Sequence, residues 1–155
     1  MKIQEIKFKK LDHNYSIFIG NNAIDLLPKK LTIVSPKVKK IALIIDTKIP
    51  NKFRKKIKNK LKKYELLILP FSASEKNKSF KKVSFYLNKI LEKDFNRSDL
   101  IIALGGGITG DVAGFVASIF KRGINFINIP TTLLAQVDSA IGGKTGVNSI
   151  QGKNL

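Results

Sequence analysis

The sequence predicts an α/β fold: a Rossmann-like, mainly parallel sheet with helices on both faces and a β-hairpin at the N-terminus. Three observations carry this. The runs IALIID (41–46), LLILPF (66–71) and LIIAL (100–104) are short and nearly free of polar residues, as strands covered on both faces are. Segments with helical spacing separate them, and that alternation marks βαβ units with right-handed crossovers. The last run then breaks into glycines that open a further helix. The chain has 155 residues, 43% of them hydrophobic, enough for one ordinary core, so a single domain over 1–155 is expected.

The elements follow in order. Strands over 3–8 and 15–19, joined by the turn formers Asp12, His13 and Asn14, predict the hairpin, placed at an edge of the sheet. After Gly20, residues 23–34 are helix-like but weakened by Pro28. The strand 41–46 comes next, then a helix from Pro50 to about Tyr64, where proline suits the first turn. In it Phe53, Ile57 and Leu61 share one stripe and lysines cover the remainder. Strand 66–71, the loop SASEKNK and a helix from Ser79 to about Lys93 continue the alternation. Strand 100–104 leads into the glycines, and NFINIP supplies a fourth strand over 125–129. Ligands of such sheets lie beyond the carboxyl ends of the strands. Asp46, the loop after Phe71, Gly105 to Gly107 and Thr131 all fall there and are expected to share one rim.

Composition narrows the function classes. No apolar run reaches the roughly 18 residues that span a bilayer, and MKIQEIKFKK has no signal-peptide core. A soluble, cytoplasmic protein with no membrane partner is expected. With no cysteine there is no disulfide, thiolate metal site or cysteine nucleophile, and the one histidine, His13, builds no metal cluster alone. The net charge of +18 raises the question of nucleic acid. Its carriers are mostly lysines scattered over helix surfaces, with only Arg54, Arg97 and Arg122 offering the planar fork that grips phosphate and bases. A solvated lysine face is the better reading, and a basic, non-catalytic nucleic-acid-binding protein is the alternative from another class.

The motifs lie in the last third. Gly105, Gly107 and Gly110 satisfy GxGxxG directly after a strand and at a helix start. Glycines there admit a tight turn and close backbone approach, and the helix N-terminus offers free N–H groups to a pyrophosphate. The motif sits two thirds of the way along, with proline where a ribose-binding acid is usual, so a plain strand-to-helix turn is its bland reading. GGKT over 142–145 resembles the end of a Walker A loop but fails it, because Asp138 stands where the first glycine belongs. Lys144 can still serve as a point charge for phosphate, and Asp138 can accept hydrogen bonds from substrate hydroxyls. Alone, Asp138 reads as a solvated helix acid, and Thr131 with Thr132 as an N-cap pair.

Taken together, GGGITGDVAGF, FINIPTTLLAQVDSAIGGKTGVN and GKNL resemble the 3-dehydroquinate synthase family. The likeness is dense over 100–155, and YSIFIG, IALIID and the SEKNK loop match more loosely upstream. It implies NAD as a regenerated cofactor and a divalent metal, zinc or cobalt, acting as a Lewis acid. The implied substrate is a sugar acid phosphate, 3-deoxy-D-arabino-heptulosonate 7-phosphate, converted to 3-dehydroquinate and phosphate through oxidation, β-elimination, reduction and intramolecular aldol closure. A homodimer is implied as well.

The resemblance also implies roles. Asp46 would bind the adenosine ribose, Glu75 and Lys78 would sit in the loop that clasps NAD, and Gly105, Gly106, Gly107, Ile108, Thr109, Gly110 and Asp111 would hold the pyrophosphate. Thr131, Thr132, Lys144 and Lys153 would add cofactor contacts. Asp138 would contact substrate hydroxyls, Lys144 and Asn154 the substrate phosphate, and Arg122 a neighbouring subunit's substrate. Ser74 replaces the glycine usual before the glutamate, and DSA replaces DSS at 138–140. The family's metal ligands, a glutamate and two histidines, belong to a helical second domain, and no residue here is expected to ligate metal. The chain is therefore expected to be a truncated, N-terminal NAD-binding part, inactive alone. Another sugar-phosphate cyclase or a polyol dehydrogenase is the rival enzyme reading, which GGKTGVN and GKNL disfavour.

Overall fold

Along the chain come β1 (Gln4–Lys10), β2 (His13–Ile19), α1 (Leu27–Val34), β3 (Lys40–Asp46), α2 (Asn51–Leu61), β4 (Glu65–Phe71), α3 (Phe80–Leu91), β5 (Leu100–Gly105), α4 (Gly107–Ile119) and β6 (Asn125–Pro130). They are seen in a computed structural model that describes residues 2–10 and 13–154. The predicted turn residue Asp12 and the final Leu155 lie outside the described residues.

Strands apolar at every position need cover on both sides, and the sheet order provides it. Four parallel strands run β4-β3-β5-β6. Central β3 and β5 are buried throughout except at Lys40. Pro70 and Pro130 fall in the outer strands β4 and β6, where a missing N–H donor is tolerated. Alternation sends Ala42, Ile44, Ile101 and Ala103 to one face, against Val83, Tyr86 and Ile90 of α3 and Val112, Ala113 and Val116 of α4. Ile41, Leu43, Ile45, Leu100, Ile102 and Leu104 fill the other face with Leu27 and Leu31 of α1 and Ile57 and Leu61 of α2. The chain goes from β3 out to β4, then returns past β3 to β5. The winding therefore reverses between the carboxyl ends of β3 and β5, the switch point at which doubly wound sheets open a crevice.

The structure corrects three details. The hairpin is not an edge of the parallel sheet: among the described residues β1 and β2 pair only with each other, as a separate two-stranded sheet. One of its faces lies over α1, where Lys30 reaches Glu5 at 3.3 Å and caps the Phe18 ring at 4.2 Å. The segment 23–34 divides into a 3-10 turn (Ala23–Leu26) and α1, with Pro28 in the first turn of α1, so the proline starts this helix rather than weakening it. The lysine-rich α2 ends at Leu61, with Pro50 as its N-cap.

Two buried polar groups brace the core. Asp99 is fully buried at the amino ends of the central strands: its Oδ1 accepts from the amides of Lys39 (3.2 Å) and Lys40 (2.9 Å), and its Oδ2 from that of Asn96 (2.9 Å). Tyr86 donates to the Pro70 carbonyl at 2.8 Å, and burial pushes its hydroxyl up to about 12. A phenol that resists ionisation in the folded chain gives stability that is complete below the ordinary value of 10.0 and is lost as pH rises towards 12. Urea midpoints followed from pH ~8 to ~11 should therefore fall less steeply in Tyr86→Phe than in wild type. Parallel slopes would show that another group governs the alkaline limb.

Candidate functional site

The carboxyl ends of the strands form the predicted rim. Asp46 stands opposite Phe71, and Gly105 opposite Pro130. The amide of Thr47 bonds the Phe71 carbonyl at 2.9 Å, and that of Thr131 the Gly105 carbonyl at 2.9 Å, so pairing continues into the loops. Asp46 is buried and its Oδ1 accepts from the Lys48 amide at 2.9 Å. Arg54 braces this loop from α2, donating to the Ile49 carbonyl at 2.6 Å and to the Thr47 carbonyl. Sequence reasoning assigned Arg54 no such part, because its partners are backbone atoms.

Across the switch point lies the glycine turn. None of Gly105, Gly106 and Gly107 has a positive φ, so these positions do not need glycine's conformational freedom. They need its missing side chain. A Cβ on Gly105 would meet Thr109 Oγ1 at 2.5 Å, and one on Gly107 would meet Ser139 Oγ at 2.9 Å. Further along α4, a Cβ on Gly110 would lie 2.9 Å from Asn128 Nδ2, and one on Gly114 2.4 Å from Thr145 Cγ2. The helix thus lies flush on β6 and on the segment that follows Gly143.

Gly106 caps α4 without a side-chain bond, and the first amide turned into the helix is that of Gly110, on the Gly106 carbonyl at 3.1 Å. The N–H groups of Gly107, Ile108 and Thr109 have no partner within the helix. Beside them, Thr109 Oγ1 and Ser139 Oγ are buried with no hydrogen-bond partner. Orphaned hydroxyls next to unpaired amides at a helix N-terminus fit an anionic group such as a pyrophosphate. Among the described residues, no three His, Cys, Asp or Glu side chains come together as a metal ion would require.

The loop after β4 supplies the charge. Ser74 caps a 3-10 turn (Glu75–Asn77), accepting from the Asn77 amide. That turn delivers Lys78, 6% exposed, into the rim. Its Nζ donates to Asp111 Oδ2 and to Asn154 Oδ1, each at 2.5 Å. Asn154 reaches it because residues 144–154 return along the loop as a strap: Val147 is buried in the core and Asn148 bridges to Ser79. Asn148, which sequence reasoning did not select, donates from its backbone to the Lys78 carbonyl (2.8 Å) and from Nδ2 to Glu75 Oε2 (2.8 Å).

The other predicted residues are placed less tightly. Asp138 lies in a π-helical turn (Ala135–Ser139) whose Ser139 abuts Gly107. It meets Lys144 at 3.7 Å in an exposed pair, worth little to stability. Lys153 is exposed. Thr132 does cap, its Oγ1 accepting from the Ala135 amide at 3.3 Å, and its methyl is the atom nearest to a Cβ on Gly106. Arg122 is not brought to the rim. It follows the carboxyl end of α4, with φ 68, at the far end of a 13-residue helix.

Comparisons with known proteins bear on this arrangement. The family model described as 3-dehydroquinate synthase N-terminal matches residues 68–155. The 3-dehydroquinate synthase of Pelagibacter ubique is 50% identical over 155 residues, all of this chain and 42% of that protein. The enzyme of the same name from Helicobacter pylori is 43% identical over 99% of the chain, again 42% of that protein's length. The chain thus spans about two fifths of these curated relatives. A solved complex of 2-deoxy-scyllo-inosose synthase with carbaglucose-6-phosphate, NAD+ and Co2+ superposes with a TM-score of 0.86 at 29% identity, covering 99% of this chain and 41% of that one.

Proposed function

Because the chain belongs to the 3-dehydroquinate synthase family, we propose that it provides the NAD-binding part of such an enzyme, acting on 3-deoxy-D-arabino-heptulosonate 7-phosphate in the shikimate pathway. The carrying observation is the pair of orphaned hydroxyls, Thr109 Oγ1 and Ser139 Oγ, beside the unpaired amides of Gly107, Ile108 and Thr109. These groups hold the pyrophosphate. Asp46, across the switch point, takes the adenosine ribose with the carboxylate oxygen that the Lys48 amide leaves free. Glu75 and Lys78 close over the cofactor from the loop after β4, Asp111 fixes the Lys78 ammonium, and Thr131, Thr132 and Lys153 line the approach. The chemistry supplied by bound NAD is reversible hydride transfer with a substrate hydroxyl.

On the substrate side, Asp138 accepts from hydroxyls while Lys144 and Asn154 bind the phosphate. The exposure of the Asp138–Lys144 pair suits groups that wait for a ligand. The described residues do not fit a metal ion, so metal chemistry in this reading uses ligands other than these. Arg122 lies too far from its own rim to act there, which supports its acting at a neighbouring subunit in a homodimer. The hairpin face bearing Ile6, Phe8, Tyr15 and Ile19, exposed and apolar, supports such a dimer. Among the described residues no helix is long and apolar enough to cross a membrane. A cytoplasmic location is part of the proposal and rests on the family reading alone. Related cyclases are the second reading, less supported at 29% identity.

The test is calorimetry with NAD. Gly107→Val puts a branched Cβ against Ser139 Oγ, beside the amides that face the pyrophosphate. It should weaken NAD binding per folded molecule by about tenfold or more, with the accompanying fall in stability read separately from the urea midpoint. Equal affinity in both proteins would remove the glycine turn from the site.

A further inference from the structure

We propose that Asn148 is a positioning residue of the cofactor site: one amide side chain clasps the 144–154 strap to the loop after β4 and so fixes where Lys78, Asp111 and Asn154 meet. The inference rests on the NAD-binding reading above. Asn148 Nδ2 donates to Glu75 Oε2 at 2.8 Å and approaches the Glu75 carbonyl at 3.3 Å. Its Oδ1 accepts from the Asn154 amide at 3.1 Å, and its own amide donates to the Lys78 carbonyl at 2.8 Å. The donor end therefore holds the loop, and the acceptor end holds the strap.

What Asn148 holds is selective. It bonds the backbones of Lys78 and Asn154, the two residues whose side chains meet at 2.5 Å. Both ends of that contact are thus pinned through a single residue. The strap's attachment to the core comes separately, from fully buried Val147. Removing the Asn148 side chain leaves the strap in place, through Val147 and the backbone bond to Lys78, and frees Glu75 and the Asn154 backbone from their tie. The position calls for asparagine because it needs a donor and an acceptor on one short stem: aspartate lacks the donor and an aliphatic residue lacks both.

The donor contact gives a discriminating test. With Asn148→Asp, two carboxylates face each other across the gap that one hydrogen bond now closes. Glu75→Gln in the same chain restores a donor, this time from the loop side. NAD affinity should be measured by calorimetry for wild type, Asn148→Asp, Glu75→Gln and the double variant, with Asn148→Ala alongside and urea midpoints of each chain without NAD. Asn148→Ala and Asn148→Asp should each bind about tenfold more weakly or worse, whereas in a chain already carrying Glu75→Gln the aspartate should cost less than about threefold. Any direct contact of Glu75 with NAD cancels in this cycle. A merely structural asparagine would lower the midpoint and leave the affinity of the folded chain unchanged.

Two results would overturn the clasp: Asn148→Ala binding within about twofold of wild type, or the aspartate costing the same with and without Glu75→Gln. A wild-type chain without NAD affinity would instead remove the cofactor reading itself, and the role of the clasp with it.

Discussion

Asp99→Ala should lower the folding free energy by about 4 kcal/mol, a large share of what a single domain possesses. The carboxylate accepts three backbone amides, those of Lys39, Lys40 and Asn96, from a fully buried position. Hydrogen bonds to a charged acceptor contribute about 1.5–3 kcal/mol each, less than additively when they share an atom. Alanine removes all three and leaves amides at the ends of β3 and β5 without partners. Asp99→Asn should cost less, because its remaining oxygen can serve the Lys39 and Lys40 amides while its NH2 confronts that of Asn96. Urea unfolding followed by circular dichroism measures both variants. NAD affinity per folded molecule should stay at the wild-type value, since Asp99 sits at the end of the sheet opposite the rim. A loss below about 1 kcal/mol would mean that water replaces the carboxylate, and this account of the bracket would be wrong.

Lys78→Met should weaken NAD binding by about a hundredfold and lower stability by about 3 kcal/mol. Methionine keeps the apolar stem and deletes the ammonium. Asp111 then keeps a charge whose side chain is only 18% exposed, and Asn154 Oδ1 loses its donor. Removing one partner of a buried pair is costlier than the pair itself is worth, because the survivor stays desolvated. The loss of affinity has a second source, the absence of a cation near two phosphate charges in a low-dielectric cleft. Calorimetry with NAD and the urea midpoint separate the two. A variant destabilised but binding NAD normally would reduce the Lys78, Asp111 and Asn154 cluster to a structural tie.

The sheet was legible because burial on both faces leaves no room for polar residues in IALIID and LIIAL, and because Gly105 ends the last of these runs. The hairpin's strands were legible as two short runs around turn formers, but not its detachment from the sheet, since the contacts of Phe18 and Glu5 with Lys30 of α1 join residues that no local pattern links. Pro28 was misjudged because a proline inside a helical pattern and one at its first turn differ only in where the helix begins. At the site, motif and resemblance singled out the glycines and Lys78 as candidates, and the structure adds a reason for glycine at two of these positions, space for Thr109 at Gly105 and for Ser139 at Gly107. Asn148 left no local signal. Its partners Glu75 and Lys78 lie about seventy residues earlier, and spacing within a short motif carries nothing of that pairing.

The strap's return to the loop after β4 has a consequence for local opening. Val147 and the bonds made by Asn148 and Asn154 tie residues 144–154 down, whereas β3 and β5 are held by pairing on both sides and by burial on both faces. The strap should therefore open at a lower free energy than the sheet, and its amide hydrogens should exchange faster than those of the central strands. NAD, binding only the closed form, should slow exchange in the strap while leaving the opening of the sheet to global unfolding.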